Sequence, residues 1–254
     1  MLRILHLGLM KTIYKLAVNP IMVLLGFIAV FSACDKGNEA MREPMDLSGT
    51  VKLYTEDGLG INDSGMTVTI QNATAEAVTD KDGNFTFSNL EFGNYFLVFN
   101  KEGFGEHKRF ADHPISDTPN VIPEFIRLGQ KSTAEMVSLN LTLNGDILSL
   151  SAVSKPEATS ATPRYFHIFF HDQPGVSNQL FKTFETRQFV FSPSNYNKSI
   201  SFFYDSGFES GDEIFIAVYT TSKYDNVYYD PNVGNTIFPN LNPETVEPVS
   251  FILP

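Results

Sequence analysis

The sequence predicts an all-β protein: two β-sandwich domains behind a hydrophobic leader. Three observations carry this. From Asp46 onward, apolar and polar residues alternate over short runs, the period of strands with one buried face. Turn signals containing Gly, Asn and Asp separate these runs at about 8–12-residue spacing, as in sandwiches. With 43% hydrophobic residues and 23 Phe, the 254-residue chain has the apolar surface to build real cores. The same composition excludes other classes. A balance of 18 Lys+Arg against 29 Asp+Glu, net −11, opposes nucleic-acid binding, which needs clustered cations to replace phosphate counterions. One Cys excludes an intramolecular disulfide framework and a Cys-rich zinc site.

The leader comes first. Residues 1–33 hold Arg3, Lys11 and Lys15 and no acid, and end in the apolar run Ile21–Ala33. That run is too short for a typical spanning helix and has the length of a signal-peptide core. Met10 offers an alternative start to Met1. The only Cys follows directly, in Phe31-Ser32-Ala33-Cys34. This resembles the bacterial lipobox, which implies cleavage before Cys34, a lipid on Cys34 and attachment to a membrane through it. Several acyl chains on one residue suffice for stable anchoring, at about 0.8 kcal/mol per buried CH₂. Asp35-Lys36-Gly37-Asn38-Glu39 is similar to the charged stretch that follows the Cys in Bacteroidota-type surface lipoproteins. The resemblance implies an outer-membrane location, with the leaflet left open. Residues 34–45, polar and without an apolar period, form a tether. Cleavage before Cys34 leaves 15 basic and 29 acidic residues, a charge of −14.

The first sandwich is expected over 46–128. Val51 and Leu53, then Met66, Val68 and Ile70, then Phe85 and Phe87 alternate with polar neighbours. Tyr95–Phe99 is nearly continuous, as in a central strand, and Ile122–Leu128 offers a last strand. No window here has a helical period. Thr79-Asp80-Lys81-Asp82-Gly83-Asn84 is a hairpin turn, with Asp capping and Gly supplying positive φ. Thr79-Asp80-x-x-Gly83-x-Phe85-x-Phe87, Leu90-x-x-Gly93-x-Tyr95 and Lys101-Glu102-Gly103-Phe104, in this order, resemble the carboxypeptidase regulatory-like domain. The resemblance implies a seven-stranded, transthyretin-like sandwich that is an accessory fold and not a peptidase. Ile61-Asn62-Asp63-Ser64 stands where the family has a Pro. His107 and His113 are expected as solvated loop residues, and the Asp80 turn as a hairpin in preference to a calcium loop, which needs further oxygen ligands.

The second sandwich is expected over 129–254, of an immunoglobulin or fibronectin-III type. Val137, Leu139, Leu141 and Leu143 alternate, and Asn144-Gly145-Asp146 turns into Ile147, Leu148 and Leu150. Ser151–Pro163 is expected as an exposed loop. Strands are expected at Tyr165–His171, Gln188–Phe191, Ser199–Tyr204, Glu213–Thr221 and Val246–Leu253. The apolar C-terminus implies a strand paired inside a sheet.

Chemistry-bearing patterns are sparse. His167 and His171 share a strand face about 13 Å apart, too far to chelate one ion. No Gly-x-Ser-x-Gly elbow and no Gly-rich phosphate loop is present. No catalytic residue, metal or cofactor is expected. Tyr224, Tyr228 and Tyr229, within an Asp- and Asn-rich stretch after a strong strand, are the candidate ligand-binding residues; such loop aromatics suit sugar or protein recognition, and equally can pack on the sandwich edge. Three functions fit these residues. The expectation is a non-catalytic, lipid-anchored envelope protein displaying sandwich modules to an envelope protein partner. A glycan-binding lipoprotein of a nutrient-uptake system is the alternative, and a hydrolase with an unrecognised site the third.

Overall fold

A computed structural model describes residues 42–254; the leader, Cys34 and the tether as far as residue 41 lie outside the described residues. Glu43–Pro254 form one compact unit. Its chain is all-β, with two sets of paired sheets and one short helix among the described residues.

The first set holds β1 (Met45–Tyr54), β2 (Thr67–Ile70), β3 (Glu76–Val78), β4 (Asn84–Leu90), β5 (Gly93–Asn100), β6 (His107–His113), β7 (Asn120–Val121) and β8 (Ile126–Gly129). One sheet runs β4-β1-β7, with β8 also on β1; the other runs β3-β2-β5-β6. β7 and β8 both pair parallel with β1, at Leu47–Ser48 and then Val51–Tyr54, so they continue one another. The residues that alternate in the sequence face inward: Val51, Leu53, Met66, Val68, Phe85, Phe87, Leu97 and Phe99 form one core. The Asp80 turn is closed by its own carboxylate, whose Oδ1 accepts the Asp82 and Asn84 N–H groups at 2.9 Å. Gly83 sits at φ 83°, and a Cβ there would lie 2.0 Å from the Val51 carbonyl oxygen, so only Gly fits. The segment that departs from the family pattern is held by Asp63, which accepts the Leu53 N–H (2.7 Å) and the Lys52 ammonium (2.8 Å).

The second set holds β9 (Glu135–Asn144), β10 (Ile147–Lys155), β11 (Arg164–His171), β12 (Thr183–Phe189), β13 (Ser194–Ser199), α1 (Ser201–Asp205), β14 (Glu213–Thr221), β15 (Tyr228–Asp230), β16 (Asn235–Ile237) and β17 (Val249–Ile252). Its sheets are β13-β10-β9 and β12-β11-β14-β17, the three-plus-four order of a fibronectin-III sandwich, with β15-β16 a separate hairpin. Met136, Leu148, Leu150, Phe166, Ile168 and Phe170 share the core between the two sheets. The run Phe166–Phe170, apolar apart from His167, has a reason: β11 is buried on both faces. Its odd-numbered side carries a further aromatic cluster of Phe169, Phe181, Phe184 and Phe238.

Four expectations change. A register shift between Val153 and Ser154 pairs them with Ser138 and Met136, leaving Val137 as the bulged, exposed residue and turning Met136 inward. The expected loop from Ser151 is strand as far as Lys155, because Ser151–Lys155 pair with Glu135–Asn140. Ser199–Tyr204 is mostly helix: α1 puts Phe203 into the core against Phe170 and Phe251, at ring separations of 5.5 and 5.2 Å. Gly207 at φ 83° ends it, with the Phe208 N–H reaching the Phe203 carbonyl (3.0 Å) and the Gly207 N–H that of Tyr204 (3.0 Å), a Schellman closure. Lastly, His107 and His113 bound β6 and are not loop residues. His113 is fully buried, its Nε2 donating to the Leu90 carbonyl (3.1 Å) and its Nδ1 accepting from Asn120 (2.9 Å).

Candidate functional site

The stretch singled out in the sequence lies in the connection from β14 to β17, residues 222–248. This connection folds back from the second sandwich and docks on the first. Tyr224, on its first turn, stacks on Tyr54 of β1 with ring centroids 4.1 Å apart. Asn226 follows, buried, at φ 56°, a left-handed conformation that Asn tolerates. Its Oδ1 accepts the Gly129 N–H (2.8 Å), and its Nδ2 lies 3.0 Å from the Gly129 carbonyl and 3.1 Å from Asn240 Oδ1. Asn240, fully buried, accepts the Gly105 N–H (2.9 Å) on Oδ1 and directs Nδ2 to Ser222 Oγ (2.8 Å) and the carbonyls of Gly129 and Tyr224 (2.9 Å each). Two side-chain amides thus pair backbone groups of the first sandwich that would otherwise be buried without partners.

Glycine makes this approach possible. A Cβ on Gly105 would meet the Pro239 carbonyl oxygen at 2.3 Å, and one on Gly129 the Tyr224 carbonyl oxygen at 2.2 Å.

Charges flank the amides. Lys108 Nζ lies 2.9 Å from the buried Asp230 carboxylate, which raises the Lys108 pKa and holds Asp230 below the usual carboxylate value. His107 Nδ1 donates to the Asn226 carbonyl (2.9 Å), and burial pushes this imidazole below its ordinary value. At the other side of the joint, the Arg164 guanidinium reaches Asp57 (3.1 Å) and Glu56 (3.3 Å), and Glu56 also accepts the Thr133 N–H (2.6 Å). His167, buried on β11, is 2.9 Å from Thr186 Oγ1 through Nδ1; its Nε2 faces Asp225 at 3.2 Å, off the hydrogen-bond direction. His171 bonds the Gln173 N–H in its own turn (2.9 Å).

The three candidate tyrosines therefore separate. Tyr224 lies in the joint. Tyr228 begins β15 with its ring edge-on to His107, centroids 5.6 Å apart. Tyr229, the next residue, points away and is 62% exposed. Beside the hairpin lies a cleft of about 370 Å³ between the turn at Asn178-Gln179 and β16. Cys34, the candidate lipidation residue, lies outside the described residues. Sequence reasoning missed Asn226 and Asn240, although an aperiodic segment with unpaired Asn residues facing glycines is the pattern such a joint leaves.

Residues 46–124 match the carboxypeptidase regulatory-like domain. The joint thus lies between the sandwich that holds this match and the second one. The match covers 79 of the 254 residues. Among curated proteins none matches the sequence. Among solved structures the chain is similar to a candidate carbohydrate binding protein from Bacteroides uniformis ATCC 8492, at 14% identity and TM-score 0.32, over 83% of this chain and 100% of that one. It is similar to a DUF3823 family protein from the same organism, at 12% identity and TM-score 0.29, over 83% and 100%. A type II cohesin–X-dockerin complex from Acetivibrio cellulolyticus follows, at 20% identity and TM-score 0.29, over 34% of this chain and 58% of that one.

Proposed function

We propose that the chain is a non-catalytic binding protein, lipid-anchored to the outer membrane through Cys34, that holds two β-sandwiches in fixed relation and presents them to a partner. The observation that carries this reading is the use made of the 222–248 connection. Its Asn226 and Asn240 are spent on backbone groups of the neighbouring regulatory-like domain and its Asp230 on Lys108 of that domain, while Arg164 of β11 reaches Glu56 and Asp57 alongside. Such fixed polar networks set geometry and hold no reacting group. A pair of domains joined in this way suits display, because the joint supplies a defined face.

Three measurements test it. Cys34→Ser should release the protein from the membrane fraction; tight retention of that variant would remove the anchor from the proposal. Crosslinking of the wild-type protein in intact envelopes should trap a defined envelope protein. Hydrolytic turnover of any envelope polymer by the pure chain would defeat the non-catalytic part.

A further inference from the structure

The cleft beside the β15-β16 hairpin has the composition of a ligand site. We propose that it binds a neutral, polyhydroxylated ligand, a sugar residue of an oligosaccharide. This rests on the non-catalytic binding reading and names the ligand class it would serve.

The volume of about 370 Å³ falls in the range that holds a small ligand. Its polar wall is the amides of Asn178 and Gln179 and the hydroxyl of Thr236. The side-chain polar atoms of these three make no hydrogen bond within the described residues, so their donors and acceptors are unspent. Its apolar wall is Val233, Ile237 and Phe238. No charged side chain lines it, although the chain is rich in acids. A charged ligand would lose hydration there without a counter-charge in return, whereas hydroxyl groups are matched by neutral amides that both donate and accept.

The two walls are tied to one another. Asn235 Nδ2 donates to the Gln179 carbonyl (3.3 Å), and the turn end of the hairpin is fixed to the first sandwich by Lys108–Asp230. The cleft is therefore formed before a ligand arrives, which lowers the cost of ordering on binding. Tyr229 stands opposite Thr236 across the hairpin, on the same face, and gives an exposed ring for the apolar face of a sugar.

The experiment is calorimetric titration of the full chain in detergent with maltoheptaose, xylohexaose and mannohexaose, and with oligogalacturonate as the charged control. One or more neutral oligosaccharides should bind, oligogalacturonate should not, and both Tyr229→Ala and the pair Asn178→Ala with Gln179→Ala should weaken binding about tenfold or more at unchanged melting temperature. Absence of neutral-sugar binding at about 10 mM, well beyond weak lectin-like affinity, would overturn the site. So would binding that survives both variants, or oligogalacturonate binding as tightly as the neutral sugars. Chromatography of the same samples separates the two claims: cleavage of the oligosaccharide would overturn the non-catalytic reading, whatever the variants show.

Discussion

Asn226 and Asn240, 14 residues apart on one connection, hydrogen-bond to each other at 3.1 Å inside the joint between the two sandwiches, and each also bonds Gly129. Replacing Asn240 by Ala strands the buried Gly105 N–H, whereas the Tyr224 carbonyl keeps the Ser222 hydroxyl (2.8 Å). One buried orphan costs about 1–3 kcal/mol, so Asn240→Ala should lower stability by about 1–3 kcal/mol. Urea unfolding followed by circular dichroism measures it. A loss below about 0.5 kcal/mol, the range of inert surface changes, would show that the joint does not depend on this amide.

The joint should also report on Gly105 and Gly129. A methyl at either position meets a backbone oxygen at 2.3 or 2.2 Å, which no side-chain rotation relieves. Gly105→Ala and Gly129→Ala should leave both cores formed and part them from one another. The expected outcome is a split of one calorimetric transition into two, with faster proteolysis within 222–242. A single transition at the wild-type temperature would contradict the close approach.

Acid should loosen the same contact. His107 is held below its ordinary pKa of 6.5 by burial, so on acidification the unfolded chain takes up this proton first, and stability falls as pH drops below about 6.5. Asp230 is held below its ordinary value of 3.8 chiefly by Lys108, so its contribution is complete above that value and is lost as pH falls through the lower folded value. Melting temperature measured from pH 7 to pH 3 should show both declines. His107→Gln should flatten the upper one and leave the lower; an unchanged upper slope would rule out His107 as its source.

Adjacent tyrosines should differ in kind. Tyr224→Ala removes a ring stacked on Tyr54 and should cost about 1–2 kcal/mol. Tyr229→Ala removes an exposed ring and should stay within about 0.5 kcal/mol. Equal losses in thermal denaturation would mean that the exposed ring is structural after all.

The C-terminal strand should be indispensable. β17 pairs with Glu213–Ile216 of β14, and Leu253 beyond it is fully buried. Leu253→Ala should cost about 2–5 kcal/mol by leaving a cavity, and removal of 249–254 should unfold the second sandwich. Retention of near-native circular dichroism after that truncation would argue against the pairing.

Much of the fold was legible because alternation is a local signal. Phe85 and Phe87, Leu148 and Leu150 face inward wherever their strands lie. Local readings failed where a partner decides. His107 and His113 looked like loop residues because β6 (His-Lys-Arg-Phe-Ala-Asp-His) has almost no apolar period; pairing with β5 makes it a strand. Ser199–Tyr204 has the β-branched and aromatic character of a strand, and short apolar runs do not distinguish strand from helix. The Ser206-Gly207-Phe208 sequence was the available sign of a helix end, with Gly at the left-handed position and Phe beyond it. The bulge at Val137 left no sign, because it exists only as a register shift against β10.

Sequence alone therefore determined most of the inward-facing residues, which turns need Gly or Asp, and that the strands form all-β cores, since each depends on the chain within a few residues of itself. Only the tertiary structure decided what Tyr224, Tyr228 and Tyr229 are for. Neighbours in sequence, they are parted because two of them meet residues more than 100 positions away: Tyr224 faces Tyr54 and Tyr228 faces His107, whereas Tyr229 turns outward beside Thr236. Alternation along a strand sends successive side chains to opposite faces, but which face meets a second domain and which meets solvent is set by the docking of that domain.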